Sequence, residues 1–194
     1  MPLTGGVNEN LDGTKDFNIN AMKEFDNHTV HASAYVVGQR DKPDPMNLNS
    51  PPYKVVGGSL AVEKAGHSVG LHGQHIPEFG NRVTGTANVN VLKTNDHKVD
   101  VNAFTTQTIT KAGPNFSTHG GGVDYTFKEK FGANTSVAHT HMFNKTDYSV
   151  GSHVNLYKNP TTSVDFKAGV QRTDIQFGRG NWEKQGFLHI TKKF

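Results

Sequence analysis

The sequence contains no cysteine, so it can form neither disulfide bonds nor thiolate metal sites. Only 34% of its 194 residues are hydrophobic, and the mean hydropathy is -0.59. No apolar run approaches the roughly 18 residues that a membrane-spanning helix needs. Aromatic residues make up 9% of the chain, with one tryptophan. These shortages exclude a disulfide scaffold and a helical membrane protein, and they argue against a thick apolar core.

Basic residues are concentrated in the later part of the chain. Residues 1–56 hold five Lys or Arg and seven Asp or Glu, a net charge of -2, whereas residues 57–194 hold fifteen and ten, a net charge of +5. The cations that we expect to bind an anionic surface are Arg172, Arg179, Lys184, Lys192 and Lys193. Such a surface attracts bacterial phosphates, anionic lipid or nucleic acid, although an ordinary solvated face has the same composition.

Apolar side chains recur at every second position along several segments. The clearest series are residues 83–91, 99–103, 123–127, 148–156 and 164–170. Period two is the signature of β-strands with one apolar face, and the clusters of Asn, Asp, Gly and Pro between these segments predict tight turns. We therefore predict an all-β fold, an antiparallel meander of about ten to twelve amphipathic strands, with closure into a β-barrel as the way of removing exposed edges.

The same alternation predicts the interior. An amphipathic sheet is expected to bury its apolar face. The residues that we expect to share this buried face are Val89, Val91, Val154, Leu156, Val164 and Phe166.

The later part of the chain contains an internal repeat. VNVLKTNDHKVDVNAF at 89–104 aligns with VNLYKNPTTSVDFKAG at 154–169, and GGSLAV at 57–62 resembles GGGVDY at 120–125. Glycines thus recur at the entrance to a strand, where a bend or a close backbone approach requires them. Because a strand and not a helix follows the second glycine run, it does not form a phosphate-binding loop.

The repeat divides the chain into three parts. We predict an N-terminal region at 1–56, which includes a proline-rich loop at 40–52, and two glycine-rich modules at 57–113 and 114–194. Prolines at this density exclude a continuous strand from the loop.

Two kinds of side chain could carry chemistry. The histidines that resemble metal ligands are His72, His75, His119, His139 and His141. The candidate nucleophiles are Ser68, Ser117, Ser136 and Ser149. No cysteine or well-spaced carboxylate completes a metal site, and no motif places a serine beside a His and an Asp. We therefore predict no catalytic residue, no metal, no cofactor and no enzymatic activity, and the dispersed basic residues do not indicate nucleic-acid binding.

Five segments together resemble the attacins, glycine-rich, inducible antibacterial proteins of insect haemolymph. They are GHSVGLHGQHIPEFG at 66–80, NVNVLKTNDHKVDVNAFTTQ at 88–107, PNFSTHGGGVDYTFKEKFGANTSVAHTH at 114–141, NKTDYSVGSHVNLYKNPTTSVDFKAG at 144–169 and NWEKQGFLHITKKF at the end. Attacins have an N-terminal domain followed by two glycine-rich domains, in agreement with the repeat. The resemblance implies secretion, activity mainly against Gram-negative bacteria, lipopolysaccharide binding, and reduced outer-membrane protein synthesis or raised permeability. It implies no catalytic residues.

We therefore expect a secreted, non-enzymatic antibacterial effector whose partner is the bacterial outer membrane and its lipopolysaccharide, with no span in a host membrane. The start, MPLTGGVNEN, lacks the segments of a signal peptide, so secretion is implied by the resemblance alone. The strand pattern by itself also fits a bacterial outer-membrane β-barrel with its apolar face toward lipid. A secreted structural protein without killing activity is a further alternative, and the sequence does not fix the oligomeric state.

Overall fold

The computed structural model describes residues 2–40, 51–128, 130–158 and 162–192. Most of the proline-rich loop, residues 41–50, lies outside this part of the chain. The strands are β1 (Leu3–Glu9), β2 (Lys15–Glu24), β3 (Thr29–Gln39), β4 (Val55–Lys64), β5 (His67–Ile76), β6 (Gly80–Lys93), β7 (His97–Thr110), β8 (Phe116–Phe127), β9 (Phe131–Thr140), β10 (Lys145–Lys158), β11 (Thr162–Ile175), β12 (Gly178–Arg179) and β13 (Glu183–Lys192). A short 3-10 helix, η1 (His141–Phe143), lies between β9 and β10.

The described strands form a 13-stranded sheet in which β1 to β12 are neighbours in chain order. The predicted all-β antiparallel meander is confirmed. The strand count exceeds the predicted one because residues 180–182 separate β12 from β13, and both of these strands pair with β11. Closure into a barrel stays a prediction. Within the described residues, no helix is long and apolar enough to cross a membrane.

Tight turns join the strands as the turn residues predict. Between β4 and β5, Lys64 pairs with His67 across a two-residue turn at Ala65 and Gly66, whose φ angles are 51° and 81°. Two consecutive positive φ angles are typical of the hairpin turns that match the twist of antiparallel strands. Local turn chemistry therefore fixes the register of this hairpin.

The chain forms two compact units. Unit 1 comprises Met1–Ala87 and Thr105–Ser117, and unit 2 comprises Asn88–Phe104 and Thr118–Phe194. These bounds divide β6, β7 and β8 and differ from the module boundaries at 57 and 114. The three-part division of the sequence stays a prediction.

The predicted burial of the apolar face is wrong. None of the hydrophobic residues in the described part of the chain is buried, and Val91 and Leu156 are 63% and 60% exposed. Val154 does share a face with Phe166, which it pairs with directly, while Leu156 lies at a bulge in β10. Alternation shows that a strand has one polar and one apolar face. Which of the two faces is buried depends on what packs against each of them.

In the described part of the chain, the buried polar residues are Thr14, Asp100, Thr108 and Thr140, and the other buried residues are Gly38, Pro77, Gly80 and Gly132. Asp100 accepts a hydrogen bond of 2.9 Å from Asn90 Nδ2 and forms an ion pair of 2.8 Å with Lys98. Hydrogen bonds of this kind allow polar groups to be buried without leaving donors or acceptors unsatisfied.

The glycine runs have a steric cause. A Cβ atom on Gly120 would lie 2.6 Å from the ring of Phe104, and one on Gly57 would lie 2.6 Å from the ring of Tyr35. Such distances are far below van der Waals contact. Gly57 and Gly120 are the first glycines of the two runs that the sequence aligns, so each run contains a glycine that accommodates an aromatic ring of the preceding strand.

Candidate functional site

Unit 1 has a face on which large apolar side chains are exposed. Its members are Leu3, Val7, Phe17, Ile19, Leu60, Val62, Val69 and Leu71. Strand register places them together, since Val7 pairs with Phe17 and Leu60 pairs with Leu71. We call this surface the apolar face of unit 1.

Unit 2 has a surface of the same kind, which we call its apolar face. Its exposed members are Val89, Val91, Val101, Val123, Phe131, Val137, Val150, Phe166 and Leu188. The registers place Val123 beside Thr135 and Phe166 beside Leu188. Between β7 and β10 this face contains an apolar groove of about 420 Å³, and its walls include Val101, Val137 and Trp182.

The opposite face of unit 2 carries polar pairs that join neighbouring strands. Asn90 donates to Asp100 at 2.9 Å, and Asn155 donates to Asp165 at 2.7 Å. These two pairs are equivalent positions of the sequence repeat, so the repeat preserves a cross-strand hydrogen bond. The strands therefore have a polar, hydrogen-bonded side and an exposed apolar side.

The predicted anion-binding residues lie at the end of the sheet in unit 2. Arg172 is in β11, Arg179 in β12, and Lys184 and Lys192 in β13, while Lys193 lies outside the described residues. Arg179 and Lys184 are exposed. Binding of an anionic surface by these residues stays a prediction.

Arg172 differs from the exposed cations. Its guanidinium carbon lies 5.0 Å from the ring centroid of Tyr148 and 4.9 Å from that of Trp182. Its Nη2 donates to Asp174 at 3.0 Å, and only 22% of the side chain is exposed. Stacking on two rings and pairing with a carboxylate give Arg172 a structural role, so less of its charge is available to a partner.

The predicted histidines do not form one group, because His119 pairs with His139, near His141, whereas the other two lie on another strand. His72 and His75 are in β5, His119 in β8 and His139 in β9, and His141 is in η1. His139 Nδ1 lies 2.9 Å from Thr146 Oγ1, and its ring lies 5.6 Å from that of His141. Among the described residues, no group of three or more His, Asp or Glu side chains is arranged to hold a metal ion.

Ser68 lies in β5, and the other three candidate serines bond to neutral groups. Ser136 Oγ and Ser149 Oγ lie 2.7 Å apart, and Ser117 donates to Gln107. Partners of this kind do not activate a nucleophile. The absence of a catalytic centre stays a prediction.

A polar network closes the turn between β1 and β2. Asp12 accepts hydrogen bonds from the hydroxyl of Thr14 at 2.6 Å, from Lys54 Nζ at 3.0 Å and from the backbone N–H of Thr14 at 3.1 Å. The hydroxyl bond first, and then the bonds from Lys54 and the backbone, hold the pKa of Asp12 well below its ordinary value. Asp12 is therefore ionised at neutral pH and fixes this turn against the start of β4.

The sequence that forms these faces has identifiable relatives among known proteins. The family model for the C-terminal region of attacin matches residues 77–194. The chain belongs to the attacin family. The family that the five sequence segments indicated is thereby confirmed.

Several relatives cover most of this attacin-family chain. Defense protein 3 of Lonomia obliqua is 35% identical over 98% of the chain and 79% of its own length. Attacin-E of Hyalophora cecropia is 41% identical over 66% of the chain and 56% of its own length. Attacin of Bombyx mori is 40% identical over 70% of the chain and 65% of its own length. The matched part is therefore less than two thirds of these two attacins.

A solved structure supports the fold. The anion-selective porin from Comamonas acidovorans superimposes with a TM-score of 0.58, at 11% sequence identity, over 94% of this chain and 61% of the porin chain. At this identity the likeness concerns the fold alone. It agrees with an antiparallel meander of amphipathic strands.

The sequence did not indicate the environment of Arg172 or the exposure of the apolar faces. Trp182 reaches Arg172 from the segment between β12 and β13, outside any periodic series. The exposure could nevertheless have been predicted from the lack of helices, because no described strand is followed by an apolar helix that could cover a face of the sheet. An amphipathic sheet without covering helices must expose one face or meet another sheet.

Proposed function

We propose that this attacin-family protein is a secreted, non-enzymatic antibacterial effector that acts on the outer envelope of Gram-negative bacteria. The apolar faces contact acyl chains of the outer leaflet, and the basic end of unit 2 contacts lipopolysaccharide phosphates. The family assignment and the names of the relatives, defence protein and attacin, support the antibacterial role.

The exposure of the apolar faces is the observation that carries the lipid contact. Large exposed apolar surfaces are rare on monomeric soluble proteins, where they mark contacts with membranes or protein partners. Transfer of one Val, Leu, Ile or Phe side chain from water to an apolar medium is worth roughly 1.5–3 kcal/mol, so a half-exposed side chain contributes about half of that. Many such side chains on one surface provide a substantial driving force for lipid contact.

The exposed cations provide the electrostatic part of the proposal. Arg179 and Lys184 lie on β12 and β13, and Lys193 follows in the sequence. A basic residue near an anionic membrane surface contributes about 1 kcal/mol, an attraction that salt screens. Arg172 is left out of this set because it is paired with Asp174.

The test is a lipopolysaccharide titration at low and high salt beside a growth assay on Gram-negative cells. The variant reverses three charges, Arg179→Glu, Lys184→Glu and Lys193→Glu, of which the first two lie at exposed positions. We expect it to bind at least about tenfold more weakly at low salt, with a smaller difference at high salt.

The matched control reverses three lysines elsewhere, Lys64→Glu, Lys93→Glu and Lys130→Glu, which gives the same net charge. It should retain most of the binding. Equal losses in both variants would show that net charge, and not the basic end of unit 2, determines binding. If the unaltered protein neither inhibits growth nor binds lipopolysaccharide, the proposed function itself is contradicted.

A further inference from the structure

The polar face of unit 2 contains a trough that the proposed function does not use. Its centre is a pair of glycines, Gly151 in β10 and Gly169 in β11, which lie directly opposite each other. Asn134 pairs with Gly151 on one side, and Gln185 pairs with Gly169 on the other. One cross-strand row thus reads carboxamide, glycine, glycine, carboxamide, and the carboxamide of Asn134 lies over Gly151, with its Oδ1 2.5 Å from the position that a Cβ would take there.

The next row forms a wall of the trough. His153 pairs with Lys167, and Lys167 pairs with Phe187. Because His153 and Lys167 are two residues from the glycines, their side chains stand on the same face of the sheet as the floor. The resulting cavity has a volume of about 330 Å³.

Among the residues that line the cavity, Lys167 is a cation and none is a carboxylate. Among the described residues, no ion pair joins Lys167 or His153 to a carboxylate. Three carboxylates lie close in register: Asp124, which pairs with Asn134 and accepts a hydrogen bond from Asn102, Asp165, which accepts one from Asn155, and Glu183, which accepts one from Gln171. None of the three lines the cavity.

We infer that this trough binds a small acidic sugar, one that carries a single phosphate or carboxylate group. Lys167 is an ammonium donor for the anionic group. The carboxamides of Asn134 and Gln185 both donate and accept, which matches the hydroxyl groups of a sugar ring. The volume lies at the small end of the range for ligand pockets, about 300–1,000 Å³, and one aromatic ring, that of Phe187, lies beside the cation.

The inference goes beyond the proposed function. The trough lies on the opposite side of the strands from the apolar face of unit 2, so lipid contact does not occupy it. Its ligand is a soluble molecule and its binding needs no membrane. Its failure can therefore be distinguished from failure of the proposed function.

The test is calorimetric titration of the full-length protein with three sugars in the absence of lipid. Glucosamine 6-phosphate supplies a phosphate, glucuronic acid supplies a carboxylate, and N-acetylglucosamine supplies neither. We expect at least one acidic sugar to bind, and the neutral sugar to bind at least about tenfold more weakly, since one charge-assisted hydrogen bond is lost. Binding of one acidic sugar alone identifies the anionic group, and binding of both establishes the shared chemistry.

The variant is Lys167→Gln, and the matched control is Lys130→Gln, an exposed lysine between β8 and β9 that does not line the cavity. Lys167→Gln should weaken binding of the acidic sugar by about tenfold, and Lys130→Gln should leave it unchanged. Circular dichroism verifies that both variants keep their strand content. Equal binding of the neutral sugar, equal losses in both lysine variants, or no binding of either acidic sugar by the folded protein would overturn the inference.

Discussion

Glycine in this protein accommodates large side chains on neighbouring strands. Gly120 lies beneath the ring of Phe104 and Gly57 beneath that of Tyr35, and a Cβ on Gly132 would overlap the imidazole of His153. None of these three glycines has a positive φ angle, so the backbone conformation does not require glycine there. The requirement is space beside a ring. The glycine-rich composition is thus explained in part by packing on the polar side of the sheet.

Gly120→Ala tests this explanation. The added Cβ would lie 2.6 Å from both Phe104 Cε1 and the carbonyl oxygen of Val137. Because the carbonyl belongs to the backbone, a rotation of the ring cannot relieve both contacts. We expect a loss of about 1–3 kcal/mol in the free energy of unfolding, the usual cost of overpacking. Thermal unfolding followed by circular dichroism measures it, at about 2–4 °C in Tm for each kcal/mol.

Gly73→Ala is the control for this substitution. Nothing lies within 4 Å of a Cβ at Gly73, which is also in a strand and has no positive φ angle. Alanine there should leave Tm unchanged or raise it slightly, since it reduces the conformational entropy of the unfolded chain. Equal losses at Gly73 and Gly120 would show that backbone effects, and not the ring of Phe104, explain the glycines.

At the scale of the strand, the sequence predicts more than it does for single side chains. Alternation located the long strands, and the repeat aligned Asn90 with Asn155 and Asp100 with Asp165, which form equivalent hydrogen bonds. These features follow from local pattern and could be predicted. Which face is enclosed, and which residue covers Arg172, depend on contacts between strands that are distant in sequence or on an irregular segment, so the pattern does not encode them.

The irregular segment between β12 and β13 makes a prediction at this scale. Trp182 stacks on Arg172 and thereby fastens the start of β13 to β11. A shielded cation–π contact is worth up to about 2 kcal/mol. In Trp182→Ala we expect the amides at the start of β13 to exchange with solvent about tenfold faster. Hydrogen exchange followed by mass spectrometry or NMR gives the rates.

Lys184→Ala serves as the comparison for this measurement. Lys184 is exposed and lies on β13, directly after Glu183, which pairs with Gln171. It has no ring above it, so exchange at the start of β13 should stay close to that of the unaltered protein. If both variants accelerate exchange to the same extent, the contact between Trp182 and Arg172 does not fasten the strand.

At the scale of the whole molecule, the burial of polar and apolar side chains is the reverse of the usual pattern. Among the described residues, Thr14, Asp100, Thr108 and Thr140 are buried, whereas many large apolar side chains are exposed in each unit. An antiparallel meander of amphipathic strands is compatible with this arrangement, because each strand presents one polar and one apolar side. The alternation in the sequence is the same for both orientations. Composition offered the better guide, since a chain with 34% hydrophobic residues has too few of them for a thick core.

This orientation can be tested by making the apolar face of unit 2 polar. The triple variant Val91→Thr, Val137→Thr and Val150→Thr keeps the β-branched shape and replaces one methyl by a hydroxyl at three exposed positions. If these side chains formed a core, three buried hydroxyls would unfold the protein. Because they are exposed, we expect the free energy of unfolding to change by less than about 1 kcal/mol.

Lipid binding, unlike the free energy of unfolding, should change strongly in the triple variant. If the apolar face contacts acyl chains, as we propose, the triple variant should bind lipopolysaccharide-containing vesicles at least about tenfold more weakly, because three methyl groups no longer leave water.

Thr84→Val is the reciprocal control, since it removes the 2.9 Å hydrogen bond between Thr84 and Thr106. It should lower stability by about 0.5–1.5 kcal/mol and leave vesicle binding intact. Vesicle co-sedimentation beside urea unfolding separates the two effects. A triple variant that unfolds, or that binds vesicles as well as the unaltered protein, would contradict an apolar face that meets lipid.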